Sequence, residues 1–238
     1  MKILWDAYTD VGGRSNNEDS YYAGQNGDSL LFVVADGLGG HDCGEIASSI
    51  AAEELKTQFE TCGDKFDLQQ AICDANSRIL VKQEEMQLKM RTTIVAVLVG
   101  KNKTVFAHVG DSRGYAFSNG DIVYQTVDHS VSQMAVNVGE ITADQIRHHA
   151  DRNVLTRVLG ADEKVKVDIQ ELETDSYDSL LLSSDGFWEY VLEEEMIRYK
   201  EFTQTPADWL TQMRNLLADR VPSDHDNNTA ITVLRSVD

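Results

Sequence analysis

The chain has 238 residues, with 42% hydrophobic and 26% charged side chains, a composition that supports a globular fold with a substantial core. Its formal net charge of −19, from 40 acidic against 21 basic residues, repels phosphate backbones and anionic lipid and so excludes nucleic acid and membrane surfaces as expected partners. Cys43, Cys62 and Cys73 lack CxxC spacing, which argues against a disulfide framework and a zinc site and suits a reducing cytoplasm.

The first residues carry too little apolar character for a signal peptide, and the longest apolar run, Ile94–Val99, is far too short to cross a bilayer. Strand patterns come first, over 2–10, 20–23 and 30–35. Asp42 and Glu45 have capping-box spacing, and Ile46, Ile50, Ala51, Leu55 and Phe59 then follow a helical period. A second helix opens at Asp67 and carries Leu68, Ala71, Ile72, Ala75 and Ile79. Strands resume over 92–99 and 104–109, and Asn119-Gly120 predicts the type I′ turn of a hairpin over 115–124.

From 130 to 159 the pattern is polar and irregularly helical, with little continuous apolar face. Val165, Val167 and Ile169 alternate as a half-buried strand, and 180–183 reads as another. Two helices follow, near Glu193–Phe202 and over Pro206–Arg220, the latter capped by Thr205 with proline at its first position. Residues 230–234 form a last strand. Consecutive helix pairs and strands without regular intervening helices imply an α+β fold, with two antiparallel sheets flanked by helix pairs, and disfavour a parallel sheet. No repeat or linker divides the chain, so one domain over residues 1–238 is expected.

Three apolar runs lead directly to an aspartate beside a glycine or turn: 30–35 to Asp36, 105–109 to Asp111, and 180–184 to Asp185. A carboxylate at the end of a buried strand is costly unless a cation meets it. Arg113 is the only basic residue close in sequence to any of the three. Asp36, Asp185 and Asp226, with Asp111, Glu18 and Asp19 as further candidates, form an oxygen-only set suited to Mg²⁺ or Mn²⁺. Two such ions can activate water for in-line displacement at phosphorus. Arg14 is the candidate phosphate clamp, because its planar fork can bind two phosphate oxygens. Gly37-Leu38-Gly39-Gly40 reads as a tight turn whose Gly37 carbonyl faces a metal. His41 beside it could donate to a leaving group, and His148-His149 reads as solvent-facing.

Assembled in order, these residues resemble the metal-dependent protein phosphatase family, the protein phosphatase 2C type, in its compact bacterial form. Arg14-x-x-Asn17-Glu18-Asp19 matches the family's opening motif, and Val34-Ala35-Asp36-Gly37-Leu38-Gly39-Gly40-His41 its second. Thr92-Thr93 and Val109-Gly110-Asp111-Ser112-Arg113 match the central motifs, and Ser184-Asp185-Gly186 and Asp226-Asn227 the closing ones. Asp128-His129-Ser130, Gly139-Glu140-Ile141-Thr142 and the run from Arg152 to Arg157 are similar to the family's mobile flap, about residues 130–159.

The resemblance implies a four-layer α-β-β-α sandwich and a phosphoserine/phosphothreonine phosphatase in which a metal-bridging hydroxide attacks phosphorus directly. Asp36 would bridge two ions, the Gly37 carbonyl would hold the second, and Asp185 and Asp226 the first. Asp111 would join Asp185 at a weaker third ion. Glu18, Asp19 and Glu189 would act through water, Arg14 would grip phosphate, and His41 would donate a proton. Two departures are Glu189, where the family often has aspartate, and Asn228, where a β-branched residue is usual.

Phosphoproteins, including a serine/threonine kinase and its targets, are the implied partners of a cytoplasmic monomer. The alternatives are a phosphatase-fold binding or regulatory module with weak or lost catalysis, and a phosphohydrolase of small molecules or nucleotides. Retention of the acids and Arg14 weighs against the first. The lack of a basic or aromatic base-binding stretch weighs against the second.

Overall fold

Apolar residues on both faces of the central strands decide the architecture. The computed structural model describes residues 2–38 and 43–236. It begins with β1 (Lys2–Asp10), β2 (Asp19–Asn26) and β3 (Ser29–Leu38), followed by α1 (Gly44–Cys62) and α2 (Leu68–Met86). Then come β4 (Arg91–Thr92), β5 (Ile94–Val99), β6 (Lys103–Val109), β7 (Arg113–Ser118) and β8 (Asp121–Gln125). After α3 (Val131–Asn137) the chain continues through β9 (Asp168–Glu173), β10 (Ser179–Ser183), α4 (Asp185–Trp188), α5 (Glu193–Phe202), α6 (Pro206–Arg220) and β11 (Asn228–Ser236).

One sheet has the order β1-β11-β10-β7-β8 and the other β2-β3-β5-β6-β9, with β4 added beside β3. Every pairing is antiparallel. On β3, Leu31, Val33 and Ala35 pack toward α1 and α2, whereas Leu30, Phe32 and Val34 face the other sheet. On β10 and β11, Leu181 and Ala230 pack toward α5 and α6, and Leu180, Leu182, Ile231 and Val233 turn inward. Since strand side chains alternate between faces, near-continuous apolar strands require cover on both sides. The result is the expected four-layer α-β-β-α sandwich.

Local chemistry sets the element ends. Asn119 and Gly120 both have positive φ, 53° and 83°, so the Asn-Gly hairpin forms as expected. Asp67 caps α2 by accepting from the Gln70 amide, and Thr205 caps α6, with Pro206 in its first turn. The expected Asp42 cap, with Gly39, Gly40 and His41, lies outside the described residues; α1 itself starts at Gly44 and buries Ala47, Ala51, Leu55 and Phe59.

Three expectations are corrected. Strand β3 does not stop at Asp36: pairing of Gly37 with Thr92 and of Leu38 with Arg91 extends it, so the turn does not begin at Gly37. The strand expected at 165–169 starts instead at Asp168, opposite His108. Val165 and Val167 precede it and pack into the core beneath α2, which accounts for their apolar alternation. The 130–159 segment is not purely polar in its packing, because Ile146 is buried, and Val136 and Ile141 pack against the core under α5 and α6.

Candidate metal centre

Both sheets present strand termini at one end of the sandwich. In the register, Ile94 faces Val109 and Val34 faces Val95, which sets the end of β3 beside the end of β6. In the other sheet, Ser183 faces Ala230 and Asn228 faces Asp10. Asp36, Asp111, Asp185 and Asp226 therefore converge on one pocket of about 120 Å³, completed by Leu38, Asn153, Leu155 and Asn227. Among the described residues its lining contains no cationic side chain, although Arg14 reaches Asp226 from the adjoining loop.

The acids are held by their backbones. The Asp36 carbonyl accepts from the Thr93 amide at 2.9 Å and the Thr92 hydroxyl at 2.8 Å, and the Gly37 amide donates to the Glu18 carbonyl at 3.0 Å. Trp188 Nε1 donates to the Asp111 carbonyl at 3.0 Å. Asn227 ties its own loop to the β1–β2 connection at three points: its Oδ1 accepts from the Glu18 amide, and its Nδ2 donates to the Val11 and Asn16 carbonyls. A Cβ on Gly186 would lie 2.1 Å from the Asn227 carbonyl oxygen, so only glycine permits the turn carrying Asp185 to approach the Asp226 loop this closely.

Burial, and then repulsion from Asp185, Asp19 and Asp111, pushes the Asp36 carboxyl well above the usual carboxylate range. Asp111 is raised well above its ordinary value by burial and by Asp185 and Asp128. Asp185 keeps one side open to the pocket, yet the protein around its carboxyl and repulsion from Asp226 also raise it. Asp19, facing Asp36 across the β2–β3 pair, is pushed up to about 7 by burial despite a 2.7 Å hydrogen bond from the Ser184 hydroxyl. Its second carboxylate oxygen is buried without a partner. Uncompensated buried carboxylates of this kind are strongly unfavourable, and a hard divalent cation is the chemistry that fits an oxygen-only donor set.

The remaining candidates take distinct places. Arg14 lies on an exposed loop and forms an ion pair with Asp226. Glu18 sits partly buried beside it and is raised by burial and by Glu45. Glu189 is paired with Arg152 at 2.7 Å and is pushed up to about 7 by burial and the Asp185 charge. His41 lies outside the described residues. Arg113 does not serve Asp111: it makes a buried bidentate pair with Asp128, at 2.7 and 2.9 Å, beneath the Trp188 ring. His148 is solvent-facing, as expected, while His149 is half-buried.

Asn153 and Leu155, at the returning limb of the 130–159 segment, were not legible as pocket residues. Their placement depends on the Ser130–Leu155 bridge, for which no local pattern exists. A second cluster, His108, His129 and Asp168, brings ligand-type atoms within 4.8 Å of one another. The Arg157 guanidinium already fills it, 2.6 Å from Asp168 and 2.9 Å from His129, so it is a structural network.

The protein phosphatase 2C family pattern matches residues 11–222, and the chain belongs to that family. The serine/threonine phosphatase stp of Listeria welshimeri is 36% identical over 237 residues, covering 94% of this chain and 92% of that protein. The crystal structure of Stp1 from Staphylococcus aureus superposes with a TM-score of 0.89 at 33% identity, covering 100% of this chain and 96% of that one. The catalytic domain of PstP, solved in complex with two manganese ions, gives a TM-score of 0.84 at 30% identity, covering 98% and 97%.

Proposed function

We propose that the chain is a divalent-metal-dependent phosphatase that releases phosphate from phosphoserine and phosphothreonine in proteins. The observation that carries this is the convergence of four carboxylates on a pocket whose described lining residues include no cation. The names of the Listeria and Staphylococcus relatives, and the two manganese ions of the PstP structure, support it.

Asp36, the Gly37 carbonyl, Asp185 and Asp226 would hold two Mn²⁺ or Mg²⁺ ions, with Asp111 and Asp185 at a weaker third. Such ions supply acidification of water and neutralisation of charge at a phosphoryl group. Glu18, Asp19 and Glu189 would orient water around that site. Arg14, now paired with Asp226, has the reach and planar fork to turn onto two phosphate oxygens. Among the described residues the pocket lining offers no cysteine, serine or histidine nucleophile, which supports direct attack of water on phosphorus with departure of the serine or threonine oxygen. From its motif, His41 is assigned as the donor that protonates that oxygen.

The molecule is then one catalytic domain over residues 1–238. Residues 130–159 form a flap that tunes substrate access, and the protein acts as a cytoplasmic monomer on kinase-phosphorylated proteins, the kinase included. None of the described helices is long and apolar enough to cross a membrane.

Phosphate release from a phosphoserine peptide in Mn²⁺ tests the proposal. Asp36→Asn and Asp185→Asn each lower kcat/KM by more than about 100-fold, beyond the cost of losing an outer-sphere partner. Undiminished turnover in EDTA, or in those variants, overturns it.

A further inference from the structure

Beside the metal pocket lies a second depression whose charge runs against the rest of the molecule. It has a volume of about 270 Å³ and is lined by Arg91, Arg157, Lys164 and Lys166, with Asp162 as the only acid among the described residues of its wall. Two features tie it to the first pocket. Leu155 forms part of both walls. The β3–β4 register sets Arg91 opposite Leu38, which lines the metal pocket and stands two residues beyond Asp36.

The four cations are not equivalent. Arg157 pairs with Asp168 at 2.6 Å, and Lys166 approaches the same carboxylate at 3.8 Å. Arg91 and Lys164 are exposed and form no ion pair with any of the described residues, although acids outnumber bases 40 to 21 along the chain. A phosphopeptide is an anion approaching a molecule of net charge −19, and the long-range field opposes its arrival. A cationic rim at one side of the pocket gives that anion a favourable approach and a fixed orientation.

On the phosphatase assignment above, we infer that this depression is a second anion subsite of the substrate. It takes a carboxylate side chain or a second phosphate of the same phosphopeptide. Strand rise and cross-strand spacing place that group roughly two to four residues from the phosphorylated side chain. Arg91 and Lys164 supply the free charges, and the preference acts on substrate binding, leaving the chemical step to the metal pocket.

Three phosphoserine peptides of one length test this: one with neutral flanks, one with aspartates at the flanking positions, and one with a second phosphoserine there. The readout is the ratio of kcat/KM for each anionic peptide to that for the neutral peptide, within each enzyme. The unaltered protein favours at least one anionic peptide by about three- to tenfold, the product of two exposed charge contacts, chiefly through KM. The better of the two identifies the natural group. The ratio falls toward one in Arg91→Ala/Lys164→Ala, and it shrinks as salt is raised, because exposed charges are screened.

A ratio of one in the unaltered protein, or a ratio that survives the double substitution, overturns the subsite. Hydrolysis of a small aryl phosphate reads the phosphatase itself, so a flat ratio with active hydrolysis refutes the subsite alone. If no phosphate is released from any compound, the phosphatase assignment fails. The affinities of the same peptides, measured by titration calorimetry on both proteins, then decide the subsite.

Discussion

His129 shows how one side chain couples distant parts of this chain. Its ring lies between two donors, the Gly110 amide 3.0 Å from Nδ1 and the Arg157 guanidinium 2.9 Å from Nε2, with an Asp168 oxygen 3.3 Å from Nε2. The ring stacks on His108 with centroids 4.6 Å apart. Burial, His108 and Arg157 together push His129 down to about 4, while Asp168 opposes them. The folded state therefore binds fewer protons than the unfolded state between that value and the ordinary histidine range. Stability from this group is fully present above pH ~6.5 and is lost as pH falls toward 4. Urea midpoints measured from pH 7 to 4 should fall less steeply in His129→Asn, whose Oδ1 can still accept from Gly110, than in the parent. Equal slopes would count against the coupling. At this scale the sequence was partly legible: Asp36, Asp111 and Asp185 announced themselves because a carboxylate after a buried apolar run demands a cation. Asp226 joined that carboxylate set without ending an apolar run, and Asn153, Leu155 and the knot around Asn227 had no local signal, because their partners are remote in sequence.

Among elements, the 130–159 segment is closed on itself by the Ser130–Leu155 bridge and anchored to the body at several points, Thr92–Leu159 and Arg152–Glu189 among them. At its middle, buried Arg147 donates to the Trp188 and Val191 carbonyls and pairs with Glu193 at 2.8 Å. Trp188 in turn donates to the Asp111 carbonyl, so the footing of the segment reaches the pocket wall. Arg147→Ala should lower unfolding free energy by about 1–3 kcal/mol, because buried carbonyls and Glu193 lose their donor. It should also raise the rate of limited proteolysis within residues 137–150. Unchanged cleavage would show that the segment is held elsewhere. Helices and hairpins were legible wherever a cap or turn residue had a local cause, as at Asp67, Thr205 and Asn119-Gly120. The misplacement of β9 has the opposite origin: Val165 and Val167 alternate because they plug the core under α2, and sequence periodicity does not distinguish a plug from a ladder.

For the molecule as a whole, the fold holds mutually repelling carboxylates at one end of an already acidic body. Divalent ions that bind only the folded form should raise Tm by about 5–10 °C at a hundredfold excess over Kd, whereas NaCl of equal ionic strength should do much less. Equal shifts would mean general screening alone. The two-sheet architecture was legible because its central strands are apolar on both faces; the sheet order was not, since it joins segments from opposite ends of the sequence. Strand β11 lies between β1 and β10, with Lys2 opposite Ser236. During synthesis this sheet has no middle until residues 228–236 have cleared the ribosome, and such long-range closure is slow. Asp226 sits just before that strand, so the four acids cannot gather around a pocket before that strand has emerged.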